Sequence, residues 1–220
     1  EVTGIAAVNI DISQKLADVL PLYLGTVVIL SFLLLILVFR SLIVPLVATG
    51  GFLLTVGATL GAVVAVYQFG WLSEVLGVTQ AGPILSFLPI LLIGILFGLA
   101  MDYQLFVVSG MREAYVHGKS AKDSIDSGIH LGRPVVIAAA IIMVAVFGGF
   151  AFSHITMIKP MGFGLAIGVL IDAFLVRLLL VPALMSVIGK AAWYLPKWLD
   201  KLLPDVDVEG AKLERSRSQA

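Results

Sequence analysis

Three ionisable side chains interrupt otherwise apolar runs: Asp102, Asp172 and Arg177. Tyr103 follows the first, within Gly98-Leu99-Ala100-Met101-Asp102-Tyr103-Gln104. A charge at the centre of a membrane span costs about 2.5–3.5 kcal/mol on insertion scales. Such a group must face protein or water and be paired or protonated. Apolar surroundings disfavour the charged form of a carboxyl group, and a carboxyl tuned in this way can take a proton from one side and release it to the other. On the residues alone Asp102 has three readings: a proton carrier, half of a static ion pair that fixes packing, or a ligand contact. Successive residues point about 100° apart on an α-helix. Asp102 and Tyr103 therefore address facing helices rather than each other, with Tyr103 able to donate a hydrogen bond to a carboxylate elsewhere. Asp172 and Arg177 are five residues apart, which sets them on different faces of an α-helix and argues against a pair within one helix. Asp102 lies ~15 Å of helix rise from Arg112, and Arg177 ~20 Å from Lys190. These comparable depths predict an Asp102–Arg177 contact or a polar network that both share.

The elements that hold these groups are read from hydropathy. Of the 220 residues 60% are hydrophobic and 13% charged, against about 45–50% and roughly 25% in a soluble domain. Mean hydropathy is +1.10. Five stretches reach the roughly 20 apolar residues that a bilayer-spanning helix needs: about 19–39, 45–68, 84–109, 134–152 and 161–188. None sustains the period-2 alternation of a strand, and a closed barrel needs many short alternating segments. The expectation is an all-α, polytopic membrane bundle of five transmembrane helices over residues 18–189. Eleven of the fourteen basic residues collect on one side, in the turn at Arg40, in the 110–133 connection and after Ile188. Lys and Arg mark the cytoplasmic side, so the N-terminus is expected outside and the C-terminus in the cytoplasm.

The connections differ. Phe39–Pro45 admits only a tight hairpin. Residues 110–133 read as a polar inner loop holding an amphipathic helix on the membrane surface. Residues 190–220 read as a cytoplasmic tail, amphipathic at WYLPKWLDKLL and disordered from VEGAKLERSRSQA. Residues 1–17 carry neither an initiator Met nor a signal peptide, and the chain is expected to be a piece of a longer polypeptide. Glycines at small-xxx-small spacing occur at Gly57/Gly61, Gly94/Gly98 and Gly164/Gly168. Such pairs let helix backbones approach closely in lipid. These glycines are expected to serve close helix packing; for the alternative, sliding of helices during transport, Gly94 and Gly98 are the better candidates, because Gly98 sits one turn from Asp102.

Other chemistry is sparse. There is no cysteine, and His117, His130 and His154 are scattered, so no metal site is visible. No phosphate-binding loop, dinucleotide fingerprint or nucleophile elbow occurs, and the chain is not expected to be an enzyme. Zero net charge points to no nucleic-acid partner.

The run Phe97-Gly98-Leu99-Ala100-Met101-Asp102-Tyr103-Gln104-Leu105-Phe106, followed by Ser109-Gly110-Met111-Arg112-Glu113-Ala114, resembles the signature of the MMPL family (mycobacterial membrane protein large) of the resistance–nodulation–division superfamily. Phe39-Arg40-Ser41, Ile171-Asp172-Ala173, Val176-Arg177 and Val181-Pro182-Ala183-Leu184 fit the same family, and Gly4 to Asp11 resembles the exit from an extracytoplasmic porter domain. Gly110 departs from the pattern, where Arg is expected. The resemblance covers residues 1 to about 190. It implies that residues 1–17 end a porter domain or its linker, and that the five spans are the last five of twelve. It implies a proton relay through Asp102 and Tyr103, facing a matching Asp-Tyr pair in the N-terminal half of the same transporter, with Asp172 and Arg177 as supporting polar residues. It further implies proton-driven export of lipids or lipid-like compounds across the bacterial plasma membrane, with a proton gradient in place of any cofactor. Alternatives are a sterol-sensing-like regulatory membrane domain and a protein-translocation accessory of the same superfamily.

Overall fold

The computed structural model describes residues 5–78, 82 and 84–202. The expected disordered tail from Val208 lies outside the described residues, as do residues 1–4. Among the described residues the structure is helical and contains no strand. Five helical runs are long and apolar enough to cross a membrane: Ile10–Phe39, Ile43–Gln68, Leu88–Val116, Ala121–Ala151 and Ile158–Trp193.

The first span belongs to α1 (Ile5–Phe39), which starts upstream of the expected boundary near Val19 and runs through Pro21 without a break. Residues 5–17, expected to end a porter domain or its linker, are helical and continuous with the span. After a tight turn in which Arg40 takes a left-handed φ of 45°, α2 (Ile43–Val63) begins. Ser41 organises that turn: its Oγ accepts from the N–H groups of Ile43 and Val44. The same hydroxyl donates to the Ala192 carbonyl at 2.6 Å, so it ties the start of α2 to the end of the fifth span. A π-helical segment (Val64–Gln68) ends the second span, and a short α3 (Ser73–Leu76) lies in the connection that follows.

The 110–133 stretch differs from expectation. It is not a loop with a separate surface helix. α4 (Leu88–Val116) and α5 (Ala121–Ala151) extend through it as one helical hairpin, turning only over residues 117–120. Ser120 caps α5 by accepting from Asp123 N–H, while its hydroxyl donates to the Asp123 carboxylate, an N-terminal arrangement that satisfies otherwise orphaned donors. Gly118, at φ 91°, makes the turn. The polar residues misled because a helix that leaves the membrane need not stop there. Ser124, Ile125, Gly128 and Gly132 of this stretch are buried, and the two glycines pack on Met111 and Val107 of α4. Pro134, which suggested a helix start, lies inside α5.

The fifth span is composite. α6 (Lys159–Leu170) passes into a π-helical segment (Ile171–Leu180), then α7 (Val181–Ile188) and a 3-10 turn (Gly189–Trp193); α8 (Lys197–Leu202) follows. The second and fifth spans form the centre, with 50% and 56% of their most apolar windows buried, against 17% for the fourth. Phe52, Leu92, Leu96, Leu165 and Met185 fill the core between them. Outward residues such as Leu22, Ile29, Ile141 and Leu179 are exposed and apolar, as a lipid-facing surface requires.

Candidate functional site: a polar cluster at mid-span

The π-helical segment brings together what an α-helix keeps apart. In it N–H groups bond five residues back, and the Val181 N–H reaches the Val176 carbonyl in this way. Residues five apart therefore share a face. Arg177 Nη2 lies 2.8 Å from Asp172 Oδ2. This corrects the expectation against a pair within their own span, which assumed α-helical geometry. Both are deeply buried, at 6% and 3% exposure. Thr55 of α2, fully buried, donates to the Gly51 carbonyl at 3.1 Å and stands 3.5 Å from Asp172 Oδ1. Gly51 is what lets α2 come this close, because a Cβ there would collide with Val176. Burying charge is costly unless it is paired and hydrogen-bonded, so close packing and the ion pair depend on one another here.

α4 supplies the rest. The Tyr103 ring lies beneath the Arg177 guanidinium, 5.7 Å from centroid to Cζ. Arg177 Nε and Nη1 are buried and make no hydrogen bond among the described residues. The aromatic face partly compensates them, since a ring quadrupole attracts a cation. Gln104, next along α4, is buried with its Nε2 also unpartnered.

Asp102 points elsewhere. It lies at the midpoint of α4, fourteen residues from Leu88 and fourteen from Val116, or roughly 21 Å from either end. Within these five helices it is exposed, on one stripe with Leu91, Ile95, Gly98 and Phe106. The expected Asp102–Arg177 contact or shared network is therefore not formed among the described residues, because the carboxylate that pairs with Arg177 is that of Asp172 and Asp102 is exposed. Tyr103 joins the Asp172–Arg177 pair, whereas Asp102 occupies the adjoining outward face of the same helix.

The glycines divide in the same way. Gly94 approaches the Tyr23 hydroxyl of α1, whereas a Cβ on Gly98 would meet nothing. A tight crossing lies in the α4–α5 hairpin, where a Cβ on Gly128 would fall 2.6 Å from the Met111 backbone N. Reading by sequence missed that crossing, and also Thr55 and Gln104. Thr55 gave no usable signal, because threonine in a span commonly satisfies its own helix backbone. Gln104 did give one, as an amide inside an apolar run.

Comparison with known proteins matches residues 1–202 to the MMPL family. The chain is 54% identical over 214 residues to Membrane protein YdfJ of Bacillus subtilis, covering 97% of this chain and 30% of that one. It is 36% identical over 209 residues to the Mycolic acid-containing lipids exporter MmpL11 of Mycolicibacterium smegmatis (95% and 22%). It is 34% identical over 201 residues to the Trehalose monomycolate exporter MmpL3 of Mycobacterium tuberculosis (91% and 21%). The chain spans about a fifth to a third of the length of these relatives. Five apolar spans and these bacterial relatives make it a multi-pass protein of the bacterial plasma membrane. With a mid-span aspartate–tyrosine motif set in that bundle and a match running through all five spans, this chain belongs to the MMPL family.

Proposed function

We propose that the chain is the C-terminal membrane portion of a proton-motive-force-driven exporter of lipids or lipid-like compounds. Asp102 is the group that exchanges protons. Tyr103, one residue on, links it to the Asp172–Arg177 pair, so that a change of charge on one face of α4 is felt on the other. The N-terminus faces outward and the basic end lies in the cytoplasm. The energy source is the proton gradient, and the chain has no catalytic role.

One observation carries this reading: Asp102 sits halfway along α4 on an apolar stripe that the other four spans leave uncovered. A carboxylate facing lipid at that depth is too costly to persist. The stripe is therefore a protein-facing surface, and its partner is the N-terminal half of the same transporter, which carries its own Asp-Tyr pair. Similarity to the Mycolic acid-containing lipids exporter MmpL11 and the Trehalose monomycolate exporter MmpL3 supports the cargo class.

The test is an Asp102→Asn variant of the full-length polypeptide, reconstituted in vesicles with an imposed pH gradient and a labelled lipid. Gradient-driven transfer is expected to fall to background while the melting temperature stays that of the parent protein. Undiminished pumping by the variant overturns the relay. Lipid binding with no dependence on the gradient, even in the parent protein, favours a regulatory domain of the sterol-sensing type. Movement of polypeptide rather than lipid favours a translocation accessory.

A further inference from the structure

At the basic end of the bundle a pocket of about 810 Å³ opens between the α1–α2 turn, the α4–α5 turn and the 3-10 segment after the fifth span. The proton-driven reading uses none of its residues. The geometry points to a binding site for the phosphate of an anionic phospholipid headgroup, held between these three connections.

The charge is lopsided. Arg40, Arg112, Lys119 and Lys190 line the pocket, against a single carboxylate, Asp200. Asp200 is engaged by Arg40 in a salt bridge. The donors come from separate elements and approach from different sides. Arg112 is anchored by donating to the Phe39 carbonyl, Lys119 by donating to Ser127 Oγ at 2.9 Å, and Lys190 is exposed. Ser120 and Ala121, the first residues at the start of the 31-residue α5, also line the space. A helix N-terminus adds partial positive charge and orphan N–H groups.

Trp193 supplies an independent observation. It lines the pocket and is 8% exposed. Its ring is held by a stack on Tyr115, 5.2 Å between centroids and 16° between planes, and the Arg112 guanidinium lies 6.0 Å from its centroid. Its indole Nε1 is buried and has no hydrogen-bond partner among the described residues. A buried donor left unmade costs free energy, and a residue that carries one while lining a pocket rich in arginine and lysine suits an acceptor with negative charge. A phosphate offers several acceptor oxygens to donors arriving from several directions.

The lipid source follows from position. The pocket lies where the spans end, and the same end exposes Tyr194 and Trp198, at 61% and 68%. Aromatic side chains of this kind sit at headgroup level, and basic pockets between span ends take phosphate headgroups. A bound headgroup would clip the α4–α5 turn to the segment after α7. It would thereby brace the two spans that present Tyr103 and Arg177.

The test uses the full-length polypeptide in neutral detergent, with melting followed as dihexanoyl phosphatidylglycerol is titrated in. Saturable stabilisation is expected, with none from dihexanoyl phosphatidylcholine. Lys119→Gln and Lys190→Gln should each weaken the apparent affinity about fivefold. Trp193→Phe keeps the stack and removes only the N–H, and should weaken it roughly tenfold. Equal stabilisation by the two lipids, or unchanged affinity in all three variants, overturns the site. Inorganic phosphate that stabilises where the lipid does not overturns the headgroup assignment. A lipid response that appears only after residues 203–220 are removed shows that the chain's own tail fills the pocket, and overturns the proposal as well.

Discussion

Arg177 pairs with Asp172 five residues behind it at 2.8 Å, and it does so because the backbone between them is π-helical. In an α-helix the two would point roughly 140° apart. Ion pair and backbone register are thus one feature: relaxing the segment to α-helix breaks the pair, and breaking the pair removes the reason for the register. Both side chains are buried beside Thr55, so each charge depends on the other for its compensation.

The pair should show the asymmetry of buried charges. Asp172→Asn leaves the Arg177 charge uncompensated and is expected to destabilise the fold by about 3–5 kcal/mol. Replacing both partners, as Asp172→Leu with Arg177→Met, should recover a large part of that loss. Unfolding by graded addition of sodium dodecyl sulfate to the protein in mixed micelles measures both. A double variant no more stable than the single one contradicts the pairing.

Tyr103 has two separable parts. Its ring lies beneath Arg177 at 5.7 Å, and its hydroxyl is the part able to pass a proton. Tyr103→Phe keeps the ring and should leave the melting temperature unchanged. If the hydroxyl completes a proton path, gradient-driven transfer should nevertheless fall by about a hundredfold or more. Tyr103→Leu removes the cation–π contact too and should cost about 0.5–2 kcal/mol of stability. Full transport by the Phe variant would remove the hydroxyl from the mechanism.

How far this arrangement was legible follows from which signals are local. Five spans were readable because roughly 20 consecutive apolar residues admit little else. The central charges stood out against that background. What α4 does with Asp102 was not readable, since Leu91, Ile95 and Phe106 on the same stripe look like any lipid-facing residues. The Asp172–Arg177 pair was hidden by the assumption of 3.6 residues per turn. The 110–133 stretch was misread because its charges are those of a loop, yet nothing in it stops a helix before Gly118 or after Ser120. Glycine spacing alone pointed to Gly94 and Gly98. It could not rank them against Gly128, whose tight contact with Met111 depends on how two helices cross.

Ser41 is a small residue with a large share in one junction. It is fully buried, accepts from Ile43 and Val44, and donates to Ala192. Ser41→Ala removes the side-chain acceptor for the Ile43 and Val44 N–H groups at the start of α2 and strands a buried carbonyl at the end of the fifth span. A loss of about 1–2 kcal/mol is expected, read from the same detergent unfolding. Because the lost bonds join the second span to the segment after the fifth, backbone amides around Ala192 should exchange faster with deuterium in the variant. Unaltered exchange there would mean that the junction is held by other contacts.

The uncovered stripe on α4 makes the sharpest contrast. Two glycines on that helix pair and its partner look equivalent by composition but differ in surroundings. At Gly128 a methyl group meets the backbone of Met111, so Gly128→Ala must push α4 from α5 and should cost about 1–3 kcal/mol. At Gly98 a side chain meets nothing within these five spans. Gly98→Leu should therefore leave the packing of this chain intact, with proteolytic fragments from its loops unchanged in the full-length protein. It should still reduce gradient-driven transfer about tenfold or more, because the added side chain falls one turn from Asp102 on the surface proposed to meet the other half. A Gly98→Leu protein that pumps normally would show that the stripe faces lipid, and a mid-membrane carboxylate would then stand there with nothing to pay for its burial.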